Sequence, residues 1–473
     1  MSQIICPKCK RKFERNEVKF HCNSGCNMSF TYRANKLKRL LFVPKSEKCP
    51  ECGVVSFDMR CPSCNKSIPK GLVKKNVSIP FTQQYKVCPF CFERYERYEV
   101  EFQCKCGCTT RYKPYVGFVK RQLFAPNAVR CPKCGEYNYT PYCPHCHLEL
   151  PKEMVQKKGY IISIIGTRNS GKTTYITTLI AELKKFFHRK FKISVNSDAT
   201  KRKINGVELN TEERYERDFY NQLYNERICP ANTIMGDPRN DVPLIYSLTP
   251  PKRKWKKSKK IFLVFYDTAG ENFEDPKKMA DNVKFLRESD AFIILHDTLS
   301  IPAVQNRLGN EGSTSSPFDT IISTINTYYG QNDRKQENEF LKKPIALVFS
   351  KFDEILNHPD LFRDCILPNM SLNNNSFYLE DSAEGVLMSE FESISSGIKA
   401  ALKNWEESNY VGITSQYKNA KYFGFSALGE APDKNNHIVE VKPYRVLDPL
   451  VWIMTQLNFP IPIIDEKKQK SFL

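Results

Sequence analysis

GYIISIIGTRNSGKTTYITTLIAELKKFF (159–187) is the stretch on which the fold turns. Residues 160–165 form a largely apolar run of strand type, and Ile176, Leu179, Ile180, Leu183 and Phe187 then recur at helical spacing. Between them lies G-x-x-x-x-G-K-T, residues 166–173, in the strand–loop–helix context that this pattern requires. Gly166 and Gly171 let backbone amides close around a phosphate, with Asn169 and Ser170 carried in the loop. Lys172 is expected to reach the β and γ phosphates and to act in catalysis, the Thr173 hydroxyl to ligate Mg²⁺, and Thr174 to stand beside them.

Downstream, KKIFLVFYDTAGE (259–271) places a buried strand before D-x-x-G, so that Asp267 meets Mg²⁺ through water and the Gly270 amide senses a γ-phosphate. AFIILHD (291–297), PIALVFSKFD (344–353) and KYFGFSALG (421–429) read as further buried parallel strands, and a last helix falls at roughly 447–457. The predicted class is α/β: a three-layer P-loop domain over 159–460, preceded by small β-rich modules stapled by metal.

The order P-loop, D-x-x-G, S-K-F-D (350–353) and S-A (426–427) resembles the Ras-like and translation-factor (TRAFAC) class of GTPases over roughly residues 159–460. That resemblance implies GTP or GDP as ligand, with Asp353 pairing to the guanine edge, Lys351 packing on the ring and Ser426–Ala427 touching O6. Two positions depart from the pattern. Ser350 stands where asparagine is usual, and Glu271 where many relatives carry the glutamine that orients attacking water, so hydrolysis is expected to be slow or partner-dependent. Thr233 is the chosen switch-I threonine, since it precedes the strand 242–248, with Thr211 and Thr249 as rivals.

The chain ahead of this domain is of another kind: 17 of the 19 cysteines lie between Cys6 and Cys146. A shift of 82 residues superimposes Cys6, Cys9, Cys22, Cys26, Cys49, Cys52, Cys61 and Cys64 on Cys88, Cys91, Cys104, Cys108, Cys131, Cys134, Cys143 and Cys146, a tandem duplication. Each copy has two knuckles separated by 12 residues and then two separated by 8, which is zinc-ribbon spacing, and the simplest count is about four zinc ions. A crossed pairing of knuckles within each copy stays open. Cys106 matches nothing in the first copy and reads as a spare thiol, while His21, His145 and His147 read as neighbours of ligands. The modules are expected at 1–70 and 83–150, a linker at 151–158, and metal removal is expected to unfold 1–150 and spare the rest.

No leader-type segment precedes the cysteines and no stretch is apolar enough for a membrane helix, so a reducing cytoplasm and thiol-held metal are expected rather than disulfides. Net charge is +20, of which residues 1–158 carry +18; four zinc sites of four thiolates each would lower that figure to about +10. A basic module of this kind favours an acidic partner such as nucleic acid, through RYERYEVEF (94–102) and RYKPYVGFVKRQLF (111–124), although aromatic strands facing a core explain those segments equally well. PPKRKWKKSKK (250–260) reads first as a solvated hairpin tip. The whole arrangement resembles zinc-ribbon GTPases of bacterial conflict and phage-defence systems. A regulatory GTPase acting on a protein effector is favoured over a nucleic-acid-stimulated ATPase or GTPase and over a nucleotide-bound scaffold with negligible turnover.

Overall fold

The computed structural model describes the chain except residues 1–3, 6–7, 10, 14–17, 23–25, 32–46, 57, 69–84, 97–98, 112–127, 157–158, 167–168, 205, 231–241, 252–259, 266–287, 310–341, 363–374, 406–409, 413–416 and 465–473. Two compact units result. One comprises residues 1–85 with 115–124, and the other 86–114 with 125–473.

Seven strands of the larger unit form one sheet: β1 (Gly159–Gly166), β2 (Ser194–Ser197), β3 (Leu244–Thr249), β4 (Lys260–Phe265), β5 (Ala291–Asp297), β6 (Ile345–Ser350) and β7 (Ala420–Gly424), in the order β2-β3-β4-β1-β5-β6-β7. β1 is parallel to β4 and β5, β5 to β6 and β6 to β7, whereas β3 runs antiparallel to both β2 and β4. Near-continuous apolar strands such as 291–297 are what burial on both faces demands. One face, through Ile162, Ile164, Leu263 and Ile293, is covered by α1 (Lys172–Phe191) and by Trp452 and its neighbours in α6 (Asp448–Gln456). On the other face, Ile165, Ile294 and Leu347 are covered by α3 (Pro302–Leu308), α4 (Phe352–Leu356) and α5 (Met388–Asn404). α2 (Thr211–Tyr215) opens on a capping box from Asn210 and Glu213 and runs into a π-helical stretch, Glu216–Asn225. This is the three-layer α/β class.

The two cysteine modules are built alike. In the first, strand Lys19–His21 lies between Ser29–Thr31 and Asp58–Arg60; in the second, Glu101–Gln103 lies between Thr109–Arg111 and Pro141–Tyr142. The first has its own small core of Val18, Phe20, Phe30, Met59 and Ile68 with buried cysteines. The second continues into the sheet domain. Val87, Phe90 and Met154 pack on Ile161, Ile245, Phe262 and Val264, so the segment expected as a linker holds a short helix, Lys152–Gln156, with Met154 and Val155 buried.

Candidate functional site

β1 sits in mid-sheet and delivers the chain to the glycine loop. Gly166 must lack a side chain, because a Cβ there would lie 2.4 Å from Ser170 Oγ. Asn169 (φ 61°) and Gly171 (φ 72°) both take left-handed backbone, the kind of turn that gathers successive N–H groups into an anion-binding concavity. Lys172, the first residue of α1, is only 7% exposed. Asn169 Oδ1 and Ser170 Oγ are buried with no hydrogen-bond partner among the described residues, which suits a loop shaped around a polar ligand.

The opposite wall comes from β6 and β7. Lys351 turns the chain with φ 55°, Phe352 drops against Gly424, where a Cβ would lie 2.6 Å from the ring, and the Phe352 N–H donates to Phe425 O at 3.0 Å. These contacts zip the S-K-F-D turn to the S-A turn. Asp353 is thereby buried; desolvation raises its carboxyl above the usual range, opposed by a hydrogen bond from Ser426. Ser426 Oγ in turn accepts from the Gly429 N–H at 2.7 Å, and the Ser426 and Tyr444 backbones pair. Lys351 Nζ meets Asp297 Oδ2 at 2.8 Å, and the fully buried Asp297 also caps the turn Thr298–Ser300. Ser350 Oγ donates to His296 O at 3.1 Å, so its hydroxyl braces β5.

One cavity of about 280 Å³ joins the two walls, lined by Ser170, Gly171 and Thr174 of the loop and by Lys351, Asp353, Ser426 and Ala427 across from them. Cys229, Leu299 and Glu430 also line it. Asp297 was legible as a carboxylate closing an apolar strand. Cys229 was not, because its place depends on a long-range bond from its N–H to Asn436 O at 2.8 Å.

Thr233, Asp267, Gly270 and Glu271 lie outside the described residues. Of the rival threonines, Thr211 is buried and its hydroxyl accepts from the Ile245 N–H at 3.5 Å. Thr249 sits at the wrong end of the sheet: Leu248 pairs with Ile261, which pairs with Tyr160, about 20 Å of strand away from Gly166.

Among the described residues, fifteen cysteines fall into four groups whose sulfurs lie within 4.8 Å of one another: Cys9, Cys61 and Cys64; Cys22, Cys26, Cys49 and Cys52; Cys88, Cys91, Cys143 and Cys146; Cys104, Cys106, Cys131 and Cys134. Cys6 lies outside the described residues. Among the described residues the knuckles thus pair first with fourth and second with third, rather than successively or in the crossed manner. Strand register is the cause. Lys19 lies opposite Arg60, which carries Cys61 to the end where Cys9 stands, while His21 lies opposite Asp58, at the end where Cys22 meets Cys52.

Register also decides which thiol completes the last of these groups. Glu101 pairs with Arg111 but Lys19 with Thr31, so the second copy's loop is two residues shorter. Cys106 therefore takes the place of Cys26, and Cys108 that of Met28: the Cys104 N–H donates to Cys108 O as the Cys22 N–H does to Met28 O. A gapless superposition hides this compensated shift. The histidines are engaged elsewhere, His21 with Ser29 and Asn27, His147 with Glu101 at 2.8 Å and His145 with Arg94 O.

A protein-family model agrees at the level of class. The double-GTPase 2 family model matches residues 160–366, which marks a P-loop GTPase domain. A protein of Mycolicibacterium smegmatis (strain ATCC 700084 / mc(2)155), SaeC, described provisionally as an ESX-1 scaffolding and assembly protein, is 27% identical over 335 residues, 66% of this chain and 78% of its own. Among solved structures, the Ski7 GTPase-like domain of S. cerevisiae bound to GTP is 10% identical at a TM-score of 0.27, with 64% of this chain and 51% of that one covered. The signal recognition particle receptor SRb-GTP/SRX complex from Chaetomium thermophilum is 14% identical at 0.23, with 59% and 95% covered.

Proposed function

We propose that this P-loop GTPase domain binds guanine nucleotides and works as a regulatory switch, with cysteine modules that hold zinc. The cavity shared by the glycine loop, Lys351, Asp353 and Ser426 carries the reading. An ionised Asp353 accepts from the guanine N1 and N2 hydrogens, groups that adenine lacks, and Lys351, steadied by Asp297, lies along the ring. Lys172 holds the β and γ phosphates. Mg²⁺, when bound, neutralises phosphate charge, and Thr173 and Asp267 are the residues to hold it. Glu271 and Thr233 fall to the hydrolytic step, with Glu271 making turnover slow or dependent on a partner. The thiol groups, with four sulfurs each in three cases, suit tetrahedral Zn²⁺. A protein effector reads the nucleotide state, and the basic modules offer nucleic acid a second contact; a role in bacterial antiviral defence rests on the resemblance of arrangement alone.

The description of the SaeC relative favours a second reading, a nucleotide-bound scaffold with little turnover. Competition binding with GDP, ADP and XDP, together with single-turnover hydrolysis, tests both. GDP should be preferred over ADP by roughly ten- to hundred-fold, since adenine leaves a buried carboxylate without donors. Asp353→Asn should erase that preference and admit XDP. Equal affinity of the unaltered chain for GDP and ADP would overturn the guanine assignment, and bound GTP that is never hydrolysed would leave the scaffold.

A further inference from the structure

Among the described residues two of the other thiol groups hold four sulfurs and the third holds three, whereas the Cys104–Cys106–Cys131–Cys134 group has a fifth beside it. The Cys108 side chain is hydrogen-bonded to both Cys106 and Cys131. Cys104 and Cys131 are buried, whereas Cys106 and Cys134 are exposed and Cys108 half-buried, so solvent reaches Cys106 and Cys108, two residues apart in the chain, as well as Cys134. The Cys22–Cys26–Cys49–Cys52 group, built on the same strands, has Met28 where this one has Cys108.

We propose that the Cys104–Cys106–Cys131–Cys134 centre is a thiol switch, opened when hydrogen peroxide oxidises Cys108 and Cys106 to a disulfide and so removes one of four metal ligands. The proposal rests on the reading that the thiol groups hold zinc. Cys108 is the spare thiol, free to react because it is no ligand, and it stands at the lip of the group. Its thiolate attacks a peroxide oxygen: an S–O bond forms, the O–O bond breaks and hydroxide leaves as water after taking up a proton. The Cys106 sulfur then attacks the sulfenic sulfur, forming S–S and expelling the oxygen as a second water. Two thiols are oxidised to a disulfide and one peroxide is reduced to two waters. Cys104, Cys131 and Cys134 remain, an incomplete set for a structural tetrahedral site. Dithiol reductants reverse the step. The first module's equivalent centre resists, because a thioether at residue 28 cannot form the bond.

The experiment uses the purified full chain, elemental analysis of bound zinc, and a chromogenic chelator that reports zinc released on addition of hydrogen peroxide. Unaltered protein should release about one of its roughly four zinc ions well ahead of the others, with Cys106 and Cys108 linked in the peptide map. Cys108→Met, which restores the first module's residue, should keep the full zinc count and lose the fast release; Met28→Cys should create a second fast equivalent. A fast release that persists in Cys108→Met, at a full zinc count, would overturn the switch alone. A chain that carries no zinc before oxidation would overturn the metal reading and the switch with it.

Discussion

Asp353 is a carboxylate that the fold buries before any ligand arrives. Desolvation raises its pKa in the nucleotide-free protein, and guanine donors favour the charged form. Affinity for GDP should therefore be level at high pH and begin to fall, as pH decreases, above the ordinary carboxylate range of about 4, losing up to tenfold per pH unit until the bound-state pKa is reached. Titration calorimetry between neutral and mildly acidic pH would show it; in Asp353→Asn this dependence should vanish. A second residue matters without touching ligand. Arg445, 2% exposed and held at φ 51°, bonds Asp448 at 2.9 Å and Glu390 at 2.8 Å. Its neighbours reach the site: Tyr444 pairs with Ser426, and Val446 O accepts from Tyr175 of α1 at 3.2 Å. Arg445→Ala leaves the buried Asp448 and the half-buried Glu390 without a cation and should cost about 3–5 kcal/mol, read as a lowered urea midpoint together with weaker nucleotide binding.

At the scale of elements, the glycine loop and the two base-side turns are local structures whose geometry is dictated by small residues. Gly166→Ala should push the loop off its path, since the new methyl would overlap Ser170 Oγ, and GDP binding should drop at least tenfold with little change in melting temperature. Preserved affinity in that variant would show that the loop accommodates a Cβ. Motif and context announced this element because every requirement sits within eight consecutive residues. Thiol pairing was less legible. Knuckle spacing is the same whether partners are successive or nested, and only the antiparallel register of Lys19–His21 with Asp58–Arg60 brings the fourth knuckle back to the first.

For the molecule as a whole, the second cysteine module belongs with the sheet domain. Besides Val87, Phe90 and Met154 on the sheet, Arg94 binds Glu288 at 2.6 Å and the Arg202 guanidinium lies 4.7 Å from the Phe90 ring centre. Glu288 leads directly into Ser289 and Asp290, where Asp290 Oδ2 accepts from the Ile161 N–H of β1 at 2.9 Å. Metal removal should consequently reach beyond residue 150, contrary to the expectation from domain boundaries. Cys143→Ser should lower both the melting temperature of the sheet domain and its affinity for GDP, whereas Cys61→Ser in the first module should disturb only its own core. Calorimetric scans of both variants, with and without GDP, separate the two outcomes.

What the sequence determined by itself was whatever is encoded in contiguous residues: the phosphate loop, the apolar strands of a doubly covered sheet, the S-K-F-D and S-A turns, and the duplication. Short-range sterics and hydrophobic period suffice for these. Tertiary structure alone decided the partner of each knuckle, the exchange of Cys106 for Cys108, the pairing of Lys351 with Asp297, the entry of Cys229 into the cavity and the union of the second module with the sheet. Each of these depends on strand register or on packing between segments far apart in the chain, and a two-residue change in a loop length is enough to alter which sulfur joins a thiol group.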